Sequence, residues 1–250
     1  MARRRGWVWV LVCVLVGLAL AGAAMLMQAV RTPPAYQPVQ LEPPQRQDVA
    51  ERFYNHLADV HNKATGIEPF EVAVSAAEIN AYLASMDEIG AMLPGKQAGQ
   101  VGRAMQRAGL ESPAVVLHDG AATLMVHSSQ YDKVLSAKLA VAALEDGRLS
   151  VQLRQVRVGR LPVPRTMIRG LLAKAARRIA PMAKAPDGEG PDVARMAQRT
   201  GAVLAGLVTA ALRDEPMDGR FKADGRSWQV SDVRIGTSGL VVRFVPATGQ

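Results

Sequence analysis

Apolar and polar positions follow three different rhythms along the chain. From Trp7 to Val30 no side chain is ionisable except Cys13. At 1.5 Å per residue such a run spans roughly 36 Å as a helix, enough for a tilted bilayer crossing. In residues 46–65 the apolar positions Val49, Phe53, Leu57 and Val60 recur at helical spacing, and Gly66 follows as a stop. Phe70, Val72 and Val74 then alternate with Glu71 and Ala73, which predicts a short strand. Ser75 and Glu78 form a capping-box pattern that opens a helix through Ile79, Tyr82, Leu83 and Met86. Residues 87–109 are weakly patterned and glycine-rich, and predict a loop with a short helix near 101–108.

The rhythm changes to period two in residues 114–117, 121–130, 133–144 and 149–158, separated in part by the hairpin dipeptides Asp119-Gly120 and Asp146-Gly147. An antiparallel meander is expected. Leu135, Ala137, Leu139, Val141 and Ala143 fall on one face and Ser136 and Lys138 on the other, so one side of the sheet is predicted apolar and the other wet. Two helical patterns follow, 165–180 and 193–212, joined by a loop with Pro186, Gly188 and Gly190, and they are expected to cover the apolar side. The sequence from Asp146 to Gly159 returns, one residue shorter, from Asp224 to Gly236. In both copies the apolar phase slips once: Leu149, Val151 and Leu153 give way to Val156 and Val158, as Trp228 and Val230 do to Val233 and Ile235. A slip of one residue in a period-two pattern predicts a β-bulge. Either duplication of a strand unit or the common look of strands after Asp-Gly turns accounts for the repeat.

Charge and composition refine this picture. Arg3, Arg4 and Arg5 precede the apolar run and only Arg31 follows it at once, which places residues 1–6 in the cytoplasm and makes 7–30 a transmembrane helix or signal anchor. A cleaved signal peptide competes, because Ala19-Leu20-Ala21 and Ala21-Gly22-Ala23 fit a peptidase site. Both readings export the rest. Residues 31–45 carry Pro33, Pro34, Pro38, Pro43 and Pro44 and predict a stiff, extended linker, leaving 46–250 as an extracytoplasmic domain. The net charge is +8, but the arginines around the run and the acid-free set Arg165, Arg169, Lys174, Arg177, Arg178 and Lys184 account for all of the excess. Basicity confined to one strip suits an anionic membrane surface rather than nucleic acid. Cys13 is the only cysteine, so an intramolecular disulfide or a thiolate site in the exported part is excluded.

The order of these pieces, from Phe70-Glu71-Val72-Ala73-Val74-Ser75-Ala76-Ala77-Glu78-Ile79-Asn80 through paired strands to Gly159-Arg160-Leu161-Pro162-Val163-Pro164 before a helix, resembles the YpmS-like family of bacterial membrane-anchored extracytoplasmic proteins. The resemblance covers residues 69–180, rests on turns and caps, and implies no chemistry. Long antiparallel strands with covering helices are also similar in architecture to the tubular lipid-binding folds.

Chemistry-bearing residues are sparse. His56 and His61 are five apart on a helix, where a metal pair needs four, and His118 and His127 flank the Asp119-Gly120 hairpin. Ser75 is accounted for as a cap, and Asn80 as a polar helix-face residue or an amide bonding a strand end. No metal, cofactor or catalytic set is expected. The expected fold is α+β: an N-terminal transmembrane helix, then long curved antiparallel strands packed against helices. The expected function is non-catalytic binding of lipid or another hydrophobic ligand by a single-pass membrane protein, with Arg165, Arg169, Lys174, Arg177 and Arg178 contacting lipid headgroups. The alternative is a cell-envelope scaffold whose partner is an envelope protein.

Overall fold

The computed structural model describes residues 27–92, 105–107, 109–164, 166–167, 170, 210–211, 213, 215–223 and 225–247. These form an α+β fold of two antiparallel sheets. Helix α1 (Pro43–Ala64) is followed by strand β1 (Phe70–Ser75), helix α2 (Ala76–Ala84) and helix α3 (Met86–Met92). Strands β2 (Leu110–His118), β3 (Ala121–Ser128), β4 (Lys133–Ala143), β5 (Arg148–Val158) and β6 (Leu161–Val163) make the meander. Strands β7 (Met217–Asp218), β8 (Arg220–Ala223), β9 (Arg226–Ile235) and β10 (Gly239–Pro246) complete the chain. The larger sheet has the order β2-β3-β4-β5-β6, with β7 also on β5, and the smaller has the order β1-β10-β9-β8. Among the described residues no helix is long and apolar enough to cross a membrane. The run expected to do so lies outside them except for residues 27–30, which are helical.

Most local expectations hold, and the departures have physical causes. α1 starts at Pro43, three residues before the predicted helix, because Pro43 and Pro44 occupy its first turn, where a missing N–H costs nothing. Ser75 caps α2: its Oγ accepts from the Glu78 N–H at 3.1 Å, while Glu78 Oε2 accepts from the Ser75 N–H at 2.8 Å and from its hydroxyl at 2.7 Å. These two bonds from Ser75 hold the Glu78 carboxyl below its ordinary pKa. The helix predicted to run through Met86 instead breaks at Ser85, which is fully buried, and α3 restarts inside what the sequence predicts as loop.

Both predicted bulges are present. Lys138 pairs with Gln155 and Leu139 with Leu153, so Arg154 is the extra residue of β5. Arg243 pairs with Asp232 and Phe244 with Val230, so Ser231 is the extra residue of β9. The two copies of the repeat lie in different sheets, and each opens on a glycine at φ 76°, Gly147 and Gly225. The sheets are joined where β7 passes into β8: Gly219 donates to the Gly147 carbonyl at 3.1 Å and accepts from the Val230 N–H at the same distance. A side chain at Gly219 would meet the Gly147 carbonyl at 2.7 Å, so this corner requires glycine.

Trp228 anchors the smaller sheet. It is 1% exposed, packs edge-on to Phe70 at 4.9 Å, and its indole N–H donates to the Ala64 carbonyl at 2.9 Å. Arg226 donates to the carbonyls of Thr65 and Gly66 beside it. The carbonyl-rich end of α1 thus meets a donor and a cation, both from β9.

Candidate apolar face of the larger sheet

Pairing across the larger sheet aligns its apolar side chains in three rows. The first runs Leu117, Ala122, Leu139, Leu153. The second runs Val115, Leu124, Ala137, Val156, Val163, and the third Val126, Leu135, Val158, Leu161. The bulge at Arg154 makes this possible, because without it Val156 and Val158 would turn to the side opposite Leu153. Ala210 and Ala211, the end of the second predicted covering helix, are buried against Val151 with Leu139 and Val141 packed around them. That contact closes one end of the face. Leu117 and Leu153 are buried, whereas the second and third rows are half-exposed and Leu124 reaches 37%.

The opposite side departs from the expected pattern at one end. Ser136, predicted wet, is 6% exposed and sits between Met125 across the ladder and Val134 along β4, which are also buried. The proline-rich segment crosses this end of the sheet. Arg160, in the β5–β6 turn, donates from its N–H to the Gln28 carbonyl at 2.9 Å and from Nε to the Thr32 carbonyl at 3.3 Å. At the far edge Tyr36 donates to the Ser112 carbonyl on β2 at 2.8 Å, and partial burial holds its phenol above the ordinary pKa. The segment turns at Pro34-Ala35, where the Tyr36 N–H donates to the Pro33 carbonyl at 3.0 Å, and its hydrogen bonds at Thr32 and Tyr36 hold it against the domain rather than letting it stand off.

Further along the same side the bulge places Arg154 and Gln155 beside Lys138. With Asp119, Gly120, Ala121 and Ala140 they line an open polar cleft of about 440 Å³. His118 and His127 are not brought together: His118 pairs with Ala121 at the turn, and His127 lies at the other end of β3, 3.2 Å from Asp132. Among the described residues no group of three or more His, Cys, Asp or Glu side chains is placed to hold a metal. The predicted headgroup contacts Arg165, Arg169, Lys174, Arg177 and Arg178 lie outside the described residues, as does most of the two helical patterns they belong to.

Asn80 has a role that the sequence left open. Its Nδ2 donates to the Val115 carbonyl at 2.8 Å and its Oδ1 accepts from the Val115 N–H at 2.7 Å. It therefore occupies both ladder groups of one residue on the outer strand of the sheet, as a neighbouring strand would. Nothing local in the sequence announces a partner 35 residues away. No family model, curated protein or solved structure matches the chain, so the face and the cleft are read from their own geometry.

Proposed function

We propose that this is a membrane-tethered extracytoplasmic protein that binds lipid or another hydrophobic ligand, without catalysis, on the apolar face of its six-stranded sheet. The observation that carries the reading is the alignment of the second and third rows, nine apolar side chains from Val115 to Leu161, half-exposed around Leu124. An ordered apolar surface of that extent costs free energy in water and is a feature of binding faces. Titration with a fluorescent fatty acid tests it. Leu124→Glu places a charge in the centre of the face at an already exposed position, so the fold survives and affinity falls tenfold or more, about 1.4 kcal/mol. Unchanged affinity in a folded variant contradicts the proposal.

The second reading, an envelope interaction module with a filled core, is favoured by the cleft, which is polar and open rather than apolar and enclosed. For such a module the fatty acid would not bind at all, and Leu124→Glu would instead weaken a protein contact.

A further inference from the structure

The end of the larger sheet that carries the β3–β4 and β5–β6 turns holds the chain where it emerges from the apolar run. Ser128 pairs with Lys133 across the β3–β4 turn, and the Gly159 N–H donates to the Val134 carbonyl at 2.7 Å, so the two turns lie side by side. Residues 27–30 are helical, and the backbone of this last turn is hydrogen-bonded to Arg160 through the Gln28 carbonyl. The approach is close. A methyl group at Gly159, itself at φ 58°, would collide with the Ala29 carbonyl and come within 2.9 Å of the Arg31 carbonyl.

We infer that this end of the sheet is a membrane-facing surface, seated on the headgroups of the bilayer that the N-terminal run enters. The inference rests on the proposed anchoring of that run. As the transmembrane helix expected from its sequence, a run of two dozen apolar residues would slightly exceed a hydrocarbon core of ~30 Å, which sets residues 27–30 at headgroup level. Arg160, bonded to Gln28, stands at the same level. The side chains around it suit that layer: Tyr131 is 64% exposed at the tip of the β3–β4 turn, and Met27 and Val30 are 63% and 59% exposed. Arg31, Lys133 and Arg160 surround them, and none of the three makes an ion pair among the described residues. Of the acids at this end, Asp132 is engaged by His127 and Glu111 lies on β2, at the far edge. An exposed aromatic ring among unpaired cations is the composition of a protein surface at an anionic lipid interface. The polar cleft at Asp119 lies at the other end of β3, away from the bilayer.

The test uses the full chain with Cys13→Ser, a single cysteine at Tyr131 or Asp119 carrying an environment-sensitive fluorophore, and phosphatidylcholine–phosphatidylglycerol nanodiscs containing doxyl-labelled lipid. Both positions are exposed, so the labels leave the fold intact. Quenching at Tyr131→Cys is expected to exceed that at Asp119→Cys several-fold, and adding Gly159→Ala, which dislodges the anchor, is expected to erase the difference. Protein that enters nanodiscs but shows equal quenching at the two positions overturns the inference and leaves the anchor in place. Protein that fails to enter nanodiscs overturns the anchor, and the inference with it.

Discussion

Asn80 shows how one side chain can close a sheet. The outer strand β2 exposes backbone donors and acceptors to any passing strand, and Asn80 engages both groups of Val115 while its Nδ2 also donates to the Ala76 carbonyl at 2.9 Å. Replacing it with alanine leaves a half-buried N–H and carbonyl without partners, at about 1–3 kcal/mol for the pair. Asn80→Ala is therefore expected to lower the midpoint of chemical denaturation and to promote self-association at the freed edge, while Asn80→Asp keeps only the bond from the Val115 N–H and falls between. Denaturant titration with light scattering checks both outcomes; an unaltered midpoint in Asn80→Ala would mean that the edge is protected by something else. The sequence names this residue as a helix-face amide or a strand-end bond but not its partner, because the contact joins elements that only the tertiary fold brings together. Ser75 and Glu78 are the opposite case. Their bond closes over three residues, and the sequence alone identifies it.

The elements with local causes were legible in the same way. The meander follows from alternation and from Asp-Gly turns, whose glycines adopt the positive φ that such turns need. The bulges follow from the phase slip, since a strand that must keep its apolar residues on one face has to accommodate one extra residue. The break at Ser85 was not legible, because Tyr82, Leu83 and Met86 keep helical spacing straight through it. Nor was the docking of the proline segment, whose hydrogen bonds go to Arg160 and Ser112, 128 and 76 residues away in sequence from their partners. The bulge of β5 makes a direct prediction at this scale. Arg154→Ala removes an exposed side chain and is expected to change stability by no more than about 0.5 kcal/mol. Deletion of Arg154 is expected to abolish cooperative folding, because it turns Val156 and Val158 away from the face they share with Leu153. Circular dichroism melts of the two variants separate the outcomes, and a deletion variant that melts like Arg154→Ala would show that the bulge is dispensable.

At the scale of the whole molecule, two sheets, each with a bulge in its copy of the repeated strand, are joined at the Gly219 corner, and the larger presents a broad apolar face on one side. The docked proline segment spans one end of this sheet, from the β5–β6 turn to β2, and a polar cleft lies on the side opposite the apolar face, nearer the other end. The α+β class with long antiparallel strands is what the alternating pattern predicts. The placement of the strands in two sheets was beyond it, because period two records which face a residue takes and not which sheet its strand joins. The proposed function turns on what lies against the apolar face. Native mass spectrometry of the full-length protein, released from its own membrane in mild detergent, measures this most directly. The account predicts a population carrying the added mass of a bound lipid or other hydrophobic ligand, strongly reduced in Leu124→Glu. A bare protein mass alone, or equal amounts of bound ligand on the two proteins, would contradict it.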